Sequence, residues 1–237
     1  MSTSDDRLAM AGAGEGESGL VEFEAVDAVP ALAPEELHLW LWQASEEATI
    51  REVPNLARGA LERLLQAYAG VPGPVRIERG VHGKPFVAEA GYPHFNVSHS
   101  RHCVVLAFAA EQEIGVDIEA EDRRHSPMEL ASRFFAAEES AALAALDEDA
   151  RSAAFLRLWT AKEALLKALG HGLSFGLDRL RFSLHDNGRS TALCGLDAQA
   201  GKVEDWQLLR FQPTPSHLGA LAWRGAPLRL RAFRLQG

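Results

Sequence analysis

The sequence predicts an α+β fold, and three observations support this. The chain has 237 residues, enough to bury a core, and its contents of 47% hydrophobic and 24% charged residues are ordinary for a globular protein. Segments in which leucines recur at helical spacing lie between groups of short apolar segments typical of strands. The order of helix, strands, helix and strands is also compatible with two similar α/β halves joined near residue 110, although the sequence contains no visible repeat.

Composition divides the chain into a tail and two halves. Residues 1–30 are rich in Gly, Ser, Ala and acidic residues, and we expect a flexible tail without the pattern of a secretory signal. The halves are then residues 31–110 and 111–237. Two isolated cysteines, Cys103 and Cys194, form neither a disulfide framework nor a metal-binding spacing, so with no export signal we expect free thiols and a cytoplasmic location. We also expect a monomer. No apolar run approaches the ~20 residues that cross a bilayer.

The first half is predicted to contain a strand, a helix and further strands. LHLWLW, residues 37–42, is a strand candidate. A helix is expected over residues 54–70, because Pro54 suits its first turn, leucines follow at helical spacing and Gly70 suits its C-terminal cap. A hairpin and three successive strands should follow, over residues 75–88, 94–100, 102–110 and 113–120.

The second half is predicted to begin with helices and end with strands. Ser126 and Pro127 indicate the start of a short helix, with Glu129 placed for a capping box, and helical character continues through residues 136–146. Residues 151–170 form the longest periodic segment and end at a glycine. Four strands are expected after this helix, at residues 177–185, 205–212, 217–224 and 228–235.

An acidic pair stands out in the segment GVDIE, residues 115–119. Asp117 and Glu119 are two apart on a predicted strand, so they share one face, where two like charges repel each other. One explanation is a solvated edge strand. The other is a divalent cation such as Mg²⁺, which carboxylate oxygens bind well.

The formal net charge of −9 argues against general nucleic-acid binding.

Three further positions are candidates for a binding site. Glu163 and Lys167 are four apart on the long helix, and they form either a surface ion pair or an acid and a base that face a metal and a phosphate. Alternation in HFNVSHS places Asn96, Ser98 and Ser100 on one face and Phe95, Val97 and His99 on the other. The segment lacks the elbow of a serine hydrolase. Hydroxyl and imidazole groups suit anion binding, with a core histidine as the alternative for His99. Lys84 lies in a Gly-rich turn before Pro85, as a solvated charge or as part of the same site.

The motifs and their order resemble those of the 4′-phosphopantetheinyl transferases, specifically the larger Sfp-type class. The matching motifs are G-K-P, F-N-x-S-H-S, G-[IV]-D-x-E, F-F-x-x-x-E and W-x-x-K-E-A-x-x-K, which lie in this order between Gly83 and Gly172. The resemblance implies two fused copies of one α/β unit, each an antiparallel sheet packed with a long helix, with coenzyme A bound at the seam. It implies an enzyme that transfers the phosphopantetheine arm to a serine of an acyl or peptidyl carrier protein, with no membrane partner.

The resemblance also assigns roles to residues. Asp117, Glu119 and Glu163 correspond to the Mg²⁺ ligands, and Glu163 is also a candidate base for the incoming serine. Lys167 is expected to hold the pyrophosphate. Lys84, Ser98 and His99 correspond to contacts with the coenzyme A phosphates, chiefly the 3′-phosphate, and Pro85 to the adenine side of the pocket. Glu139 is a candidate for assisting proton removal.

The chain departs from the family pattern before the first helix. The family carries basic residues there that help to bind the 3′-phosphate, whereas this stretch is short and acidic and leaves Arg51 and Arg58 as the candidates. Two other functions use the same residues. One is a metal-dependent hydrolase of coenzyme A or another nucleotide pyrophosphate, and the other is a non-catalytic module that binds carrier proteins.

Overall fold

A computed structural model describes residues 19–122 and 126–236 of the chain. The predicted α+β class is confirmed, and the elements form four layers, in which two sheets pack face to face and one long helix covers the outer face of each. The α-helices are α1 (Val53–Ala69), α2 (Pro127–Phe134), α3 (Ala137–Ala144) and α4 (Glu148–Leu169). None of the helices in the described part of the chain is long and apolar enough to cross a membrane.

Twelve strands are found among the described residues. They are β1 (Glu24–Ala25), β2 (Glu36–Gln43), β3 (Ile77–Arg79), β4 (Pro85–Val87), β5 (His94–Ser100), β6 (Cys103–Ala109), β7 (Ile114–Ala120), β8 (Leu180–His185), β9 (Ser190–Leu196), β10 (Trp206–Thr214), β11 (His217–Arg224) and β12 (Arg229–Arg234). The first sheet has the order β1-β12-β2-β6-β5 and the second the order β10-β11-β7, while β3–β4 and β8–β9 form separate hairpins.

Burial on both faces explains the apolar strands of the first sheet. Leu37, Leu39 and Leu41 of β2 pack toward the second sheet, with Ile114, Val116 and Ile118 of β7. The residues between them on β2 pack under α1, with Trp40 and Trp42 against helix residues such as Leu64. The sequence of a strand that is covered on both faces is almost continuously apolar, as in LHLWLW.

The structure differs from the predicted organisation of the chain at four points. Residues 19–30, predicted as tail, are attached to the second half, because Leu20 bridges to Gln212 and β1 pairs with β12. Residues 1–18 of that tail lie outside the described residues. Strand β12 runs parallel to β2 in the first sheet, so the C-terminal segment returns across the predicted boundary near residue 110. Strand β9 was not predicted, since its sequence STALCGL carries few strand-forming residues. Ser126 occupies the predicted N-cap position of α2, but its side chain makes no capping hydrogen bond.

Helix α4 packs directly on β7 at Gly115. A Cβ atom at this position would overlap the carbonyl oxygen of Ala164 and the backbone nitrogen of Ala168, and would lie 3.0 Å from the carbonyl carbon of Lys167. We therefore expect Gly115→Ala to lower the free energy of unfolding by about 3 kcal/mol or more, because the helix backbone must move away from the strand. Denaturant unfolding measures this effect.

Gly59→Ala provides the matched control. Gly59 lies on α1, and an added Cβ there would meet no atom within 4 Å. This variant should gain about 0.5–1 kcal/mol from the lower entropy of the unfolded chain. Equal stability of the two variants would contradict the close packing of α4 on β7.

Candidate functional site

The predicted site residues meet at the seam where β5 of the first sheet faces β7 of the second. Within the described residues, β7 pairs with β11 on one side and with no strand on the other. Side chains of β5 take the place of a backbone ladder on that side. Three backbone N–H groups of β7 donate to them: Val116 N to Asn96 Oδ1 at 3.0 Å, Ile118 N to Ser98 Oγ at 3.2 Å, and Ala120 N to Ser100 Oγ at 3.0 Å. We call Asn96, Ser98 and Ser100 the side-chain ladder.

The acidic pair lies on the α4 side of β7 and is buried, so a solvated edge strand does not describe it. Asp117 and Glu119 are 6% and 7% exposed. Asp117 Oδ1 accepts from Ser98 Oγ at 3.0 Å and from Lys167 Nζ at 2.7 Å, while its buried Oδ2 has no hydrogen-bond partner. Burial raises the pKa of Asp117 despite the charge of Lys167. Glu119 Oε2 accepts from Ser100 Oγ at 3.1 Å.

Glu163 on α4 completes the acidic group. Its pKa is raised to about 7, chiefly because the carboxyl group is buried and then because of the negative charge of Asp117, while Lys167 acts in the opposite direction. Glu119 also raises it. Three carboxyl groups that influence one another, one of them ready to change protonation near neutral pH, are typical of a functional site.

The raised pKa of Glu163 predicts a pH dependence of stability in metal-free protein. Because the folded state binds this proton more tightly than an unfolded chain with a pKa of 4.5 does, its contribution to stability is lost as the pH rises through about 7. Between pH 5.5 and 8 the contribution should fall by about 1–2 kcal/mol. Denaturant unfolding in a chelator, compared between wild type and Glu163→Gln, measures it.

The comparison of two proteins removes the titration of other groups. The histidines with lowered pKa, namely His38, His99 and His217, act in the opposite direction and are present in both. A stability difference between wild type and Glu163→Gln that does not change over this pH range would refute the raised pKa.

Lys167 and Lys84 both occupy the open edge of β7, and the ammonium group of each has three partners. Lys167 Nζ donates to Asp117, to Ser98 Oγ at 3.2 Å and to Val116 O at 3.0 Å. It therefore faces the seam and not a surface partner on its own helix. Lys84 Nζ donates to Glu113, to Ile114 O at 3.1 Å and to Ala168 O at 3.3 Å. Glu113 also forms a hydrogen bond with His94, and this bond is the main cause that lowers the pKa of Glu113 to about 2.

The remaining predicted contacts lie around this edge or apart from it. His99 lies on the face of β5 opposite Ser98, and enough of its surface is exposed that it is not a core histidine. Partial loss of water around the ring, and then the charge of Lys167, lower its pKa. Pro85 begins β4 beside Lys84 and pairs with Arg79. Arg58 is exposed on α1, where its Nε donates to Glu62 at 3.0 Å, and no described contact joins it to the other predicted residues.

Glu139 lies in a buried ion pair, and its predicted part in proton removal stays a prediction. It is 2% exposed, and its Oε2 accepts from Lys162 Nζ at 2.8 Å and from Ala136 N at 2.9 Å. Its Oε1 accepts from Phe182 N at 2.7 Å. This buried ion pair joins α3, α4 and β8 and leaves neither oxygen available to a substrate.

The carboxyl groups fit a hard divalent cation in their chemistry. Oxygen ligands suit Mg²⁺, and Asp117 carries a buried oxygen that no protein group satisfies. In this structure the ammonium of Lys167 provides the positive charge beside Asp117. Within residues 19–122 and 126–236, no three His, Cys, Asp or Glu side chains are already grouped as a metal site.

Sequence reasoning missed the structural use of the side-chain ladder. The alternation that placed Asn96, Ser98 and Ser100 on one face was visible, but their partners on β7 were not. Glu113 and His217 were missed as well: Glu113 pairs with Lys84, and His217 Nε2 lies 3.2 Å from Ser100 O.

The α+β fold and the acidic seam agree with what the sequence motifs of the Sfp-type 4′-phosphopantetheinyl transferases imply. The chain belongs to the 4′-phosphopantetheinyl transferase superfamily, whose sequence profile matches residues 113–222. The match includes β7, α4 and most of β11, and therefore Asp117, Glu119, Glu163 and Lys167.

Relatives of known name support the membership. The chain is 32% identical over 173 residues to the 4′-phosphopantetheinyl transferase HetI of Nostoc, covering 71% of this chain and 69% of HetI. It is 38% identical over 115 residues to the 4′-phosphopantetheinyl transferase Sfp of Bacillus subtilis, covering 48% and 50%. It is 36% identical over 121 residues to the L-aminoadipate-semialdehyde dehydrogenase-phosphopantetheinyl transferase of Xenopus laevis, covering 46% and 40%. The chain thus matches about half the length of several relatives.

Proposed function

We propose that this protein transfers the 4′-phosphopantetheine arm of coenzyme A to a serine of an apo acyl or peptidyl carrier protein, leaving adenosine 3′,5′-bisphosphate. One observation carries the proposal. A carboxyl group whose pKa is about 7, Glu163, lies on the same seam as buried Asp117 and the ammonium of Lys167. The names of the relatives supply the reaction class.

In the proposed reaction the serine oxygen attacks the phosphorus that carries the pantetheine arm. A new oxygen–phosphorus bond forms, and the bond from that phosphorus to the bridging oxygen breaks. The bridging oxygen leaves with its electron pair on adenosine 3′,5′-bisphosphate. Glu163 takes the serine proton as the general base.

Lys167 and the acids hold the pyrophosphate in this proposal. Asp117, Glu119 and Glu163 would hold Mg²⁺, which when bound neutralises charge on the pyrophosphate oxygens. Lys167 then exchanges Asp117 for a phosphate oxygen and supplies fixed positive charge where negative charge grows. Ser98 and His99 complete the phosphate contacts.

Lys84 is the second lysine that we propose as a phosphate contact. Its ammonium already has three partners, so it binds a phosphate only by exchanging the exposed carboxylate of Glu113. Pro85 borders the adenine side of the site. Arg58 remains the candidate for the 3′-phosphate, although it is paired with Glu62 in this structure.

The two covered sheets support a finer architectural proposal. The layers of α1 on the first sheet and α4 on the second suggest two fused α/β halves, with coenzyme A bound at the seam of β5 and β7. Strand β12 belongs to the C-terminal half in sequence but pairs with β2 in the first sheet, so the two halves do not separate strictly at residue 110. A cytoplasmic monomer remains part of the same proposal.

Intact-mass measurement of apo carrier proteins incubated with the enzyme, coenzyme A and Mg²⁺ tests the function. The carrier should gain the mass of one phosphopantetheine arm, and the gain should require its acceptor serine. Free phosphopantetheine produced without any carrier would support the hydrolase instead. Carrier binding with no covalent product across a panel of fatty-acid, polyketide and peptide-synthetase carriers would support the non-catalytic module.

A further inference from the structure

Ser98 and Ser100 lie two residues apart on β5, and each makes the same two kinds of contact with β7. Each hydroxyl accepts a backbone N–H of β7 and donates its own hydrogen to the acid just before that residue. Ser98 serves Ile118 N and Asp117, and Ser100 serves Ala120 N and Glu119. A hydroxyl has one hydrogen and two acceptor positions, so the bond from β7 directs its hydrogen toward the carboxylate.

Ser100 is fixed from behind by the second half of the chain. Its carbonyl oxygen lies 3.2 Å from Nε2 of His217, and Nδ1 of His217 lies 2.8 Å from Thr214 Oγ1. With Thr214 donating to Nδ1, the other ring nitrogen carries the hydrogen that Ser100 accepts. His217 is 8% exposed, so these bonds are largely shielded from water. They hold the last residue of β5 at the point where Arg101 turns the chain with a φ of 54°.

We propose that Ser100 is a positioning residue for the reaction. Its hydroxyl sets the direction of the Glu119 carboxylate relative to Asp117, so that both acids present oxygens to one cation. The inference rests on the proposed function, because it concerns how the seam holds Mg²⁺. It assigns a catalytic consequence to a residue that touches neither coenzyme A nor the carrier serine in that proposal.

Asn96 provides a control that distinguishes a positioning role of Ser100 from simple support of the seam. It makes the same kind of bond to β7, to Val116 N at 3.0 Å, but it contacts neither acid in the described structure. Ser100→Ala and Asn96→Ala each leave one buried N–H of β7 without its side-chain acceptor. Their costs in stability should therefore be similar.

The test is titration of Mg²⁺ into carrier-free protein saturated with coenzyme A, followed by calorimetry and by the shift in melting temperature. Ser100→Ala should weaken Mg²⁺ binding about 10–100-fold, as is typical when a hydrogen bond to a metal ligand is lost. Asn96→Ala should bind Mg²⁺ as wild type does. Ser100→Cys, which keeps the volume with a weaker donor, replaces Ser100→Ala if that variant does not fold.

The outcomes distinguish this inference from the proposed function. Equal Mg²⁺ affinity in Ser100→Ala, Asn96→Ala and wild type would overturn the positioning role while leaving the transferase proposal intact. An equal loss in both variants would show that the seam as a whole, and not Ser100, sets the affinity, and would also overturn it. Wild-type protein that neither binds Mg²⁺ with coenzyme A nor modifies a carrier would instead remove the proposed function.

Discussion

Asp117→Ala should reduce transfer by about 10³-fold or more. The free energy of unfolding of the metal-free variant should be at most about 1 kcal/mol below that of wild type, and it can exceed it. The loss of activity follows from the removal of fixed charge at the centre of the seam. The small effect on stability follows from the raised pKa of Asp117, which means that the folded protein disfavours its ionised form. Lys167 is 27% exposed and can turn its ammonium to water once its partner is lost.

Steady-state transfer and denaturant unfolding in a chelator measure the two effects. Asp122→Ala is the matched control, because Asp122 also pairs with a cation, Arg101, but its side chain is 72% exposed. Such a surface pair contributes little, so this variant should change neither quantity appreciably. A clear loss of metal-free stability in Asp117→Ala, by several kcal/mol, would show that the acidic pair stabilises the fold and is not a strained binding site.

Glu163→Gln should lower turnover by about 10²–10⁴-fold while coenzyme A still binds. Glutamine keeps the size of the side chain and its oxygen, but it cannot accept the serine proton, and that is the expected contribution of a general base. Single-turnover transfer and equilibrium binding of coenzyme A separate the two effects.

The result that would contradict this role is equally direct. If Glu163→Gln kept its turnover and lost Mg²⁺ affinity alone, Glu163 would be a metal ligand without a role in proton transfer.

Lys162, the adjacent residue on α4, shows why the position within the helix matters. Its ammonium points into the buried pair with Glu139, on a different side of the helix from the seam.

Local patterns in the sequence were sufficient for most elements. Periodic leucines with Pro54 and Gly70 predicted α1 to within one residue at each end, and alternating polar residues predicted β5. Pairings between distant segments were not accessible in this way. Strand β12 joins β2 across almost the whole chain, and no local pattern in either segment identifies its partner.

The candidate site was predicted as a set of residues but not as a set of contacts. The motifs identified Asp117, Glu163 and Lys167, and the structure brings them to one seam. A motif does not reveal that the ammonium of Lys84 is held by two carbonyl oxygens and Glu113, or that both oxygens of Glu139 are used in the core. Those differences come from satisfying buried polar groups, which depends on the surrounding elements.

The affinity for coenzyme A with and without Mg²⁺, measured in wild type and in Asp117→Ala, tests most directly the claim that the acidic seam joins metal and pyrophosphate. Linkage requires that a metal shared by protein and ligand strengthen binding of that ligand. Mg²⁺ should tighten coenzyme A binding to wild type by about 10-fold or more, and this gain should disappear in Asp117→Ala. An equal gain in both proteins would contradict the claim, because the metal would then act on coenzyme A without Asp117.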